Sequence, residues 1–321
     1  LDNIIFATQI NTNKPCGIGL IGKLIGECLE KSKKYTIHIL YTDDTLNLIN
    51  KIEELNPSMI IYNYHDQTTQ WAKDISIRNN YKNIKHVMIH HDVNPKFIEN
   101  YNPQNNHNFE YVISPDTTLT PSKNIFTVNR LMPNCNIDAY VENEIPTIGF
   151  QGFGALHKGI GRMVHQVVQE FDCAIIKLHI PAAYYGASIH EAVSRVNEAR
   201  NIASVNPKIK IESSHEMLST VEIVNFLSKN TVNCYFYDFL DGAGLASSPD
   251  YALAAKRPIA VTKSHQLRNF LSVSPSICIE DNSLKDIISF GTDPLKKLYE
   301  LYSEKNVIRD YEIVIEKILE N

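Results

Sequence analysis

The sequence predicts an α/β protein made of two doubly wound domains, each built on a parallel sheet. Three observations carry this expectation. Short apolar runs alternate with amphipathic stretches along the 321 residues, as expected of successive β–α–β units. That alternation is interrupted once near the middle, at 133–146, where Pro133, Asn134, Asn136 and Pro146 mark a polar linker. The length itself gives room for roughly two domains of about 150 residues, each large enough to bury its own core.

Each element has its own justification. Ile4 to Ala7 reads as a first strand, and a glycine-bearing stretch, Gly17-Ile18-Gly19-Leu20-Ile21-Gly22, leads into an amphipathic segment through Leu29. Tyr35 to Leu40 reads as a second strand. Leu46, Ile49, Ile52 and Leu55 then recur at helical spacing, and Pro57 closes that helix. Met59 to Tyr62, His86 to His90, Tyr111 to Ser114 and Ile125 to Val128 continue the strands of the first half. In the second half Thr147 to Phe150 is a strand, and Ile160, Met163, Val164, Val167, Val168 and Phe171 line one face of a helix. Ala174 to Ile180, Ile209 to Ile211, Val232 to Tyr237 and Ile259 to Thr262 follow as strands. The chain closes on an amphipathic helix from Val307 to Leu319, whose apolar face needs a partner.

Composition narrows the function classes. The formal charge of -5 supplies no global positive field for nucleic acid or an anionic membrane. No apolar run reaches the ~18 residues of a membrane span. Leu1-Asp2-Asn3 lacks the basic start of a secretory leader, so a cytoplasmic location is expected. Cys16, Cys28, Cys135, Cys173, Cys234 and Cys278 include no C-x-x-C pair and read as reduced thiols, several of them buried.

Four segments carry residues suited to chemistry. The most informative follows a strand and opens a helix: Asp241-Gly242-Ala243-Gly244-Leu245-Ala246-Ser247-Ser248-Pro249-Asp250. Ser248 suits the N-cap, Pro249 the first helical position and Asp250 the first turn. Glycines before a helix start let backbone N–H groups approach a phosphate, while Asp241 suits sugar or ribose hydroxyls. The second, Gly152-Phe153-Gly154-Ala155-Leu156-His157-Lys158-Gly159, places a lysine between a strand and a helix. The third is Cys16-Gly17-Ile18-Gly19-Leu20, and the fourth is His90-His91-Asp92 at a strand end. His65-Asp66 stands at another strand end, but no His-x-x-x-His spacing supports a metal, and none is expected.

Taken in order, these segments resemble the retaining family-4 glycosyltransferases of the GT-B fold. Asp241-Gly242-Ala243-Gly244-Leu245 and Ala252-Leu253-Ala254-Ala255-Lys256-Arg257-Pro258 resemble the family's acid-Gly-x-Gly-Leu helix and the small residues and proline after it. Lys158-Gly159 resembles its Lys-Gly, Gly17 and Gly19 its glycine-rich loop, and His91-Asp92 its strand-end histidine. Asp stands at Asp241 and Asp250 where the family usually has Glu. Phe153 stands where it often has Arg, and Arg162 is the nearby cation that would have to compensate.

The resemblance implies two Rossmann-like domains facing across a cleft: an acceptor-side domain over 1–140, a donor-side domain over 146–305, and a C-terminal helix over 306–321 crossing back to the first. It implies sugar transfer from a nucleotide diphosphate sugar, UDP- or GDP-linked, with retention and without a metal or other cofactor. His91, Asp92 and Lys158 would be catalytic. Gly17, Gly19, Gly154, Lys158, Asp241, Gly242, Gly244, Leu245, Ser247, Ser248 and Asp250 would bind the donor. The acceptor stays open among glycan, lipid, protein and modified base. Three alternatives stand beside transfer. Within enzymes these are a GT-B sugar-nucleotide epimerase and an NAD-dependent dehydrogenase, the latter suggested by the spacing of Gly17, Gly19 and Gly22 and by Asp43 and Asp44 after the second strand. The third is of another class, a catalytically decayed sugar-nucleotide binding protein.

Overall fold

Residues buried on both faces of a parallel strand read as continuous apolar runs, and inner strands such as Asn3–Thr8 and Met59–Tyr64 follow that rule, whereas the edge strand Ile209–Ser214 is half exposed. In a computed structural model, which describes residues 1–9, 17–104, 109–182 and 188–321, the chain divides into two units. The first comprises Leu1–Leu131, Gly242–Gly244 and Leu301–Asn321, and the second Met132–Asp241 and Leu245–Glu300.

The first unit contains β1 (Asn3–Thr8), β2 (Thr36–Tyr41), β3 (Met59–Tyr64), β4 (Lys85–His90), β5 (Tyr111–Ser114) and β6 (Ile125–Thr127), in the order β2-β1-β3-β4-β5-β6. Every pairing is parallel. Ile4 and Phe6 of β1 enter one buried cluster, with Ile25 and Leu29 of α1 (Gly17–Leu29). Ile5 and Ala7 enter the other, with Leu48 and Ile52 of α2 (Thr45–Leu55). The period of two in β1 therefore feeds two faces, both covered. Asp44 starts α2 by accepting a hydrogen bond from the Asn47 N–H at 2.8 Å, and Asn56 ends it in the left-handed region at φ 43°. Two short helices, α3 (Ile75–Asn80) and α4 (Pro95–Asn100), complete this stretch.

The second unit repeats the plan with β7 (Thr147–Gln151), β8 (Ala174–His179), β9 (Ile209–Ser214), β10 (Val232–Tyr235) and β11 (Ile259–Val261), in the order β11-β10-β7-β8-β9, again all parallel. Its helices are α5 (Ile160–Glu170), α6 (Ile189–Ala203), α7 (Thr220–Ser228), α8 (Ser248–Ala254), α9 (Leu284–Phe290) and α10 (Lys296–Leu301). Capping boxes open α6 at Ser188 and Glu191 and α7 at Ser219 and Glu222.

The final helix, α11 (Glu304–Glu320), belongs to the first unit. Its Val307, Tyr311, Val314, Ile315 and Ile318 are buried in the cluster that holds Ile4, Phe6 and Cys28. Polar contacts fix its placement: Asn129 Nδ2 donates to Asp310 at 2.7 Å, Ser32 Oγ to Glu312 at 2.6 Å, and Lys34 pairs with Glu316 at 2.6 Å. No helix among the described residues is long and apolar enough to cross a membrane.

Candidate functional site

In an open parallel sheet, ligands bind beyond the carboxyl ends of the strands, where the strand order reverses. That reversal lies between β1 and β3 in the first unit and between β7 and β10 in the second. The residues leaving those strand ends include Thr8, Asn63, Gly152 and the segment after Tyr235.

In the second unit, β7 runs into Gly152, whose φ of 151° lies outside the usual range of L side chains. A Cβ there would stand 3.1 Å from Ser248 Oγ, so the bare backbone passes close beside the start of α8. Gly154 has a different job. A Cβ on it would sit 2.9 Å from the Ala192 Cα, so its missing side chain serves close packing on α6. The chain then makes a short 3₁₀ turn, Leu156–Lys158, and enters α5 through Gly159 at φ 63°. A Cβ at Gly159 would stand 1.8 Å from the Phe236 carbonyl oxygen, which is backbone and has no easy way to yield. Replacing Gly159 with Ala is therefore expected to destabilise the fold by about 1–3 kcal/mol, read as a lowered urea midpoint. An unchanged midpoint would show that this turn tolerates displacement.

The turn sets Lys158 over the face of Tyr237, with Nζ 3.9 Å from the ring centroid. Among the described residues no carboxylate pairs with this ammonium. Burial lowers its pKa from 10.5 to about 8. The ring quadrupole attracts the cation but leaves a site that still favours an anion. Arg162 does not add to it, because its guanidinium pairs with Asp238. Asp238 is itself anchored: its N–H donates to the His157 carbonyl at 2.7 Å, and its carbonyl accepts from Ser264 Oγ at 2.9 Å.

Asp241 is exposed, whereas Asp250 is buried in the first turn of α8. Leu245 is buried. The sequence expectation for the helix start is corrected by one residue. Ser247, not Ser248, precedes α8, in a right-handed helical conformation and without a side-chain cap bond. Ser248 is already helical and its carbonyl accepts from Tyr235 Oη at 3.3 Å. The bond from the Asp250 N–H to the Ser247 carbonyl, at 3.0 Å, does the work expected of a serine side chain.

Gly242 and Gly244 group with the first unit. Gly242, at φ 79°, presents its carbonyl to Asn94 Nδ2 at 2.6 Å. A Cβ at Gly244 would stand 2.3 Å from the His91 carbonyl oxygen and 2.7 Å from the Asp92 Cα. Gly242 is suited by its left-handed backbone, and Gly244 by the close approach of the chain where β4 ends.

His91 is held by a network invisible to a linear reading. Asn63 Nδ2 donates to Thr8 Oγ1 at 3.1 Å and to the Ile18 carbonyl at 2.9 Å. The Asn63 Oδ1 atom is therefore an acceptor, and His91 Nε2 donates to it at 2.9 Å. That tautomer leaves Nδ1 as a buried lone pair with no partner among the described residues. Burial first, then the positive charge of Arg130, pushes the His91 pKa down to about 3, so the ring stays neutral. Asp92 is exposed in the turn after β4, and its N–H donates to His90 Nδ1 at 3.1 Å.

The glycine-rich segment is a helix rather than the expected loop. Gly17 is the first residue of α1 and Gly19 lies in its first turn, while Cys16 falls outside the described residues. A Cβ at Gly17 would meet open space, whereas one at Gly22 would stand 2.1 Å from Asn63 Nδ2. Gly22 is thus the position where α1 makes room for the residue that orients His91. Asn63 carries no local chemistry that marks it in the sequence, and Gly22 is marked there only by its spacing from Gly17 and Gly19. Among the described residues no group of three or more His, Cys, Asp or Glu is arranged to hold a metal ion.

Two doubly wound parallel-sheet units, with ligand-side residues at both switch points, define the GT-B fold class. Solved structures share it across the whole chain. The sucrose-phosphate synthase of Thermosynechococcus elongatus matches with a TM-score of 0.65 and 10% identity, covering 99% of each chain. HepE of Anabaena, solved with UDP and glucose, matches at 0.62 and 10%, covering 99% of this chain and 100% of that one. A glycosyltransferase of Rickettsia africae matches at 0.61 and 10%, covering 100% and 99%. No family model and no curated protein sequence matches the chain.

Proposed function

We propose that this chain is a glycosyltransferase that takes a sugar from a nucleotide diphosphate donor, UDP- or GDP-linked, held mainly by the second unit. The observation that carries the reading is Lys158: a partly buried ammonium at the switch point, seated on an aromatic face, with no carboxylate partner among the described residues. Such a cation suits the diphosphate leaving group, whose negative charge grows as the glycosidic bond breaks. Structural neighbours solved with UDP and glucose, and others named as glycosyltransferases or sugar-phosphate synthases, support the same reading.

In this reading Ser247, Ser248 and the backbone at Gly154, Gly242, Gly244 and Leu245 line the donor. Asp241 and Asp250 take hydroxyls of the sugar or ribose, and Gly17 and Gly19 are the glycines of the first unit assigned to the donor. His91 accepts a hydrogen bond from a sugar hydroxyl through Nδ1, with Asp92 beside it. Transfer retains configuration, and Lys158 rather than a metal meets the diphosphate charge. The functional domains are 1–140 and 146–305, with 306–321 returning to the first, and the enzyme works in the cytoplasm.

A thermal-shift comparison of UDP, GDP and their nucleosides on the intact chain tests the donor site. At 100 times its dissociation constant the correct diphosphate should stabilise the protein by about 2.7 kcal/mol, and its nucleoside at the same concentration by less. Equal stabilisation by diphosphate and nucleoside, or none by either, would overturn the reading. Product analysis by NMR then separates transfer with retention from donor epimerisation.

A further inference from the structure

A cavity of about 240 Å³ opens in the first unit, lined by Tyr64, Asp66, Lys73, Met88, His90, Phe97 and Phe109. It lies where β3 and β4 end, on the ligand-side edge of the sheet. His90 and Asp66 come from the strand-end segments named above, and neither is among the residues assigned to the donor. Its volume is below the ~300–1,000 Å³ of sites for drug-sized ligands, which suits a single ring.

Its walls are aromatic. His90 meets Phe97 edge-on at 4.9 Å between ring centroids and Tyr64 at 6.0 Å, and Phe109 lies 5.4 Å from Tyr64. Its polar groups are few and matched in charge. Lys73 Nζ pairs with Asp66 Oδ1 at 2.9 Å, and the Tyr64 hydroxyl donates to the same oxygen. Both of these bonds fall on Oδ1, and the Asp66 side chain is exposed at the rim of the cavity. His90 accepts the Asp92 N–H on Nδ1, so its ring proton is on Nε2, and burial lowers its pKa and keeps the ring uncharged.

These features select among ligand chemistries. A phosphate or carboxylate would find one ammonium, already neutralised by Asp66. A hydrocarbon would match the rings but leave the Asp66 carboxylate and the His90 N–H at the rim unused, so it gains nothing from the polar side of the pocket. A neutral sugar ring satisfies both parts of the pocket, with its C–H face on the aromatic side chains and its hydroxyls donating to Asp66 Oδ2 and accepting from His90 Nε2. We infer that this cavity binds a neutral sugar ring, which, resting on the glycosyl-transfer reading above, is that of the acceptor.

Saturation-transfer NMR on the intact chain tests this with methyl hexopyranosides, hexose 6-phosphates and 4-methylphenol. The hexopyranosides should bind best. Asp66→Asn and Phe97→Leu should each weaken them at least tenfold, with cooperative unfolding and the UDP-induced thermal shift unchanged. Preference for the phosphates or the phenol, no hexopyranoside binding, or hexopyranoside binding indifferent to both variants would overturn the inference. Hexopyranoside binding that depends on Asp66, in a chain that no nucleotide diphosphate stabilises, would support the sugar site and overturn only the donor reading.

Discussion

Deleting residues 307–321 is expected to unfold the first unit while the second keeps its structure. The removed segment carries Val307, Tyr311, Val314, Ile315 and Ile318, all buried in the core cluster that also holds Ile4, Phe6 and Cys28. Burying each such side chain contributes roughly 1.5–3 kcal/mol, so their loss is comparable with the ~5–15 kcal/mol stability of a whole domain. The deletion also uncovers one apolar face of a sheet that needs cover on both sides, and removes the Asp310 carboxylate that accepts from Asn129. Hydrogen exchange checks the outcome by segment. Peptides spanning β1 and β3 should lose protection, while those spanning β7 and β10 keep it. Retained protection in β1 would mean that the remaining core closes without α11.

Replacing Lys158 with Met is expected to stabilise the ligand-free protein and to remove most nucleotide diphosphate affinity. Burial holds the ammonium down from 10.5 to about 8. The unfolded chain therefore binds the proton more tightly than the folded one. Between about pH 8 and pH 10.5 the unfolded state carries more protons, and stability rises with pH across that window. Below it the full cost of the buried charge is present, roughly 2 kcal/mol after allowance for remaining solvent contact. Methionine fills much of the same space without that cost, so the apo unfolding midpoint at pH 7 should rise by a few degrees. A charge-assisted hydrogen bond to phosphate is worth about 1.5–3 kcal/mol, so UDP or GDP binding should weaken roughly 10- to 100-fold. In the unmodified protein, diphosphate affinity should fall as pH rises through about 8, where the ammonium is lost. In the Met variant that step should be absent. A variant that is destabilised, or that binds diphosphate as tightly as the unmodified protein, would overturn the role proposed for Lys158.

Much of this molecule follows from its sequence because the governing forces are local or periodic. Ile4 to Ala7 declares a strand covered on both faces, since every residue is apolar. The run from Val307 to Ile318 declares a helix with one apolar stripe, since its period is helical. Lys158 stands out because it lies between a strand and a helix, beside a glycine. What linear reading cannot supply is which distant groups meet. The closing helix has a face, but where it docks is decided by the burial of Tyr311 and Val314 in the cluster that holds Ile4 and Phe6 and by the polar contacts of Asp310, Glu312 and Glu316. The glycines at 17, 19 and 22 look alike in sequence. Only Gly22 lies against Asn63, and only the packed helix turns that segment from a loop into α1. Ser248 reads as a cap, yet tertiary contacts shift the helix start to follow Ser247. His91 is visible as a strand-end histidine, but its tautomer, its neutrality and its bare Nδ1 depend on Asn63 and Thr8, brought to it by parallel pairing across β1, β3 and β4. Periodicity is written along the chain. Desolvation and hydrogen-bond partnership arise between segments dozens of residues apart, and so they are settled only when the sheets close.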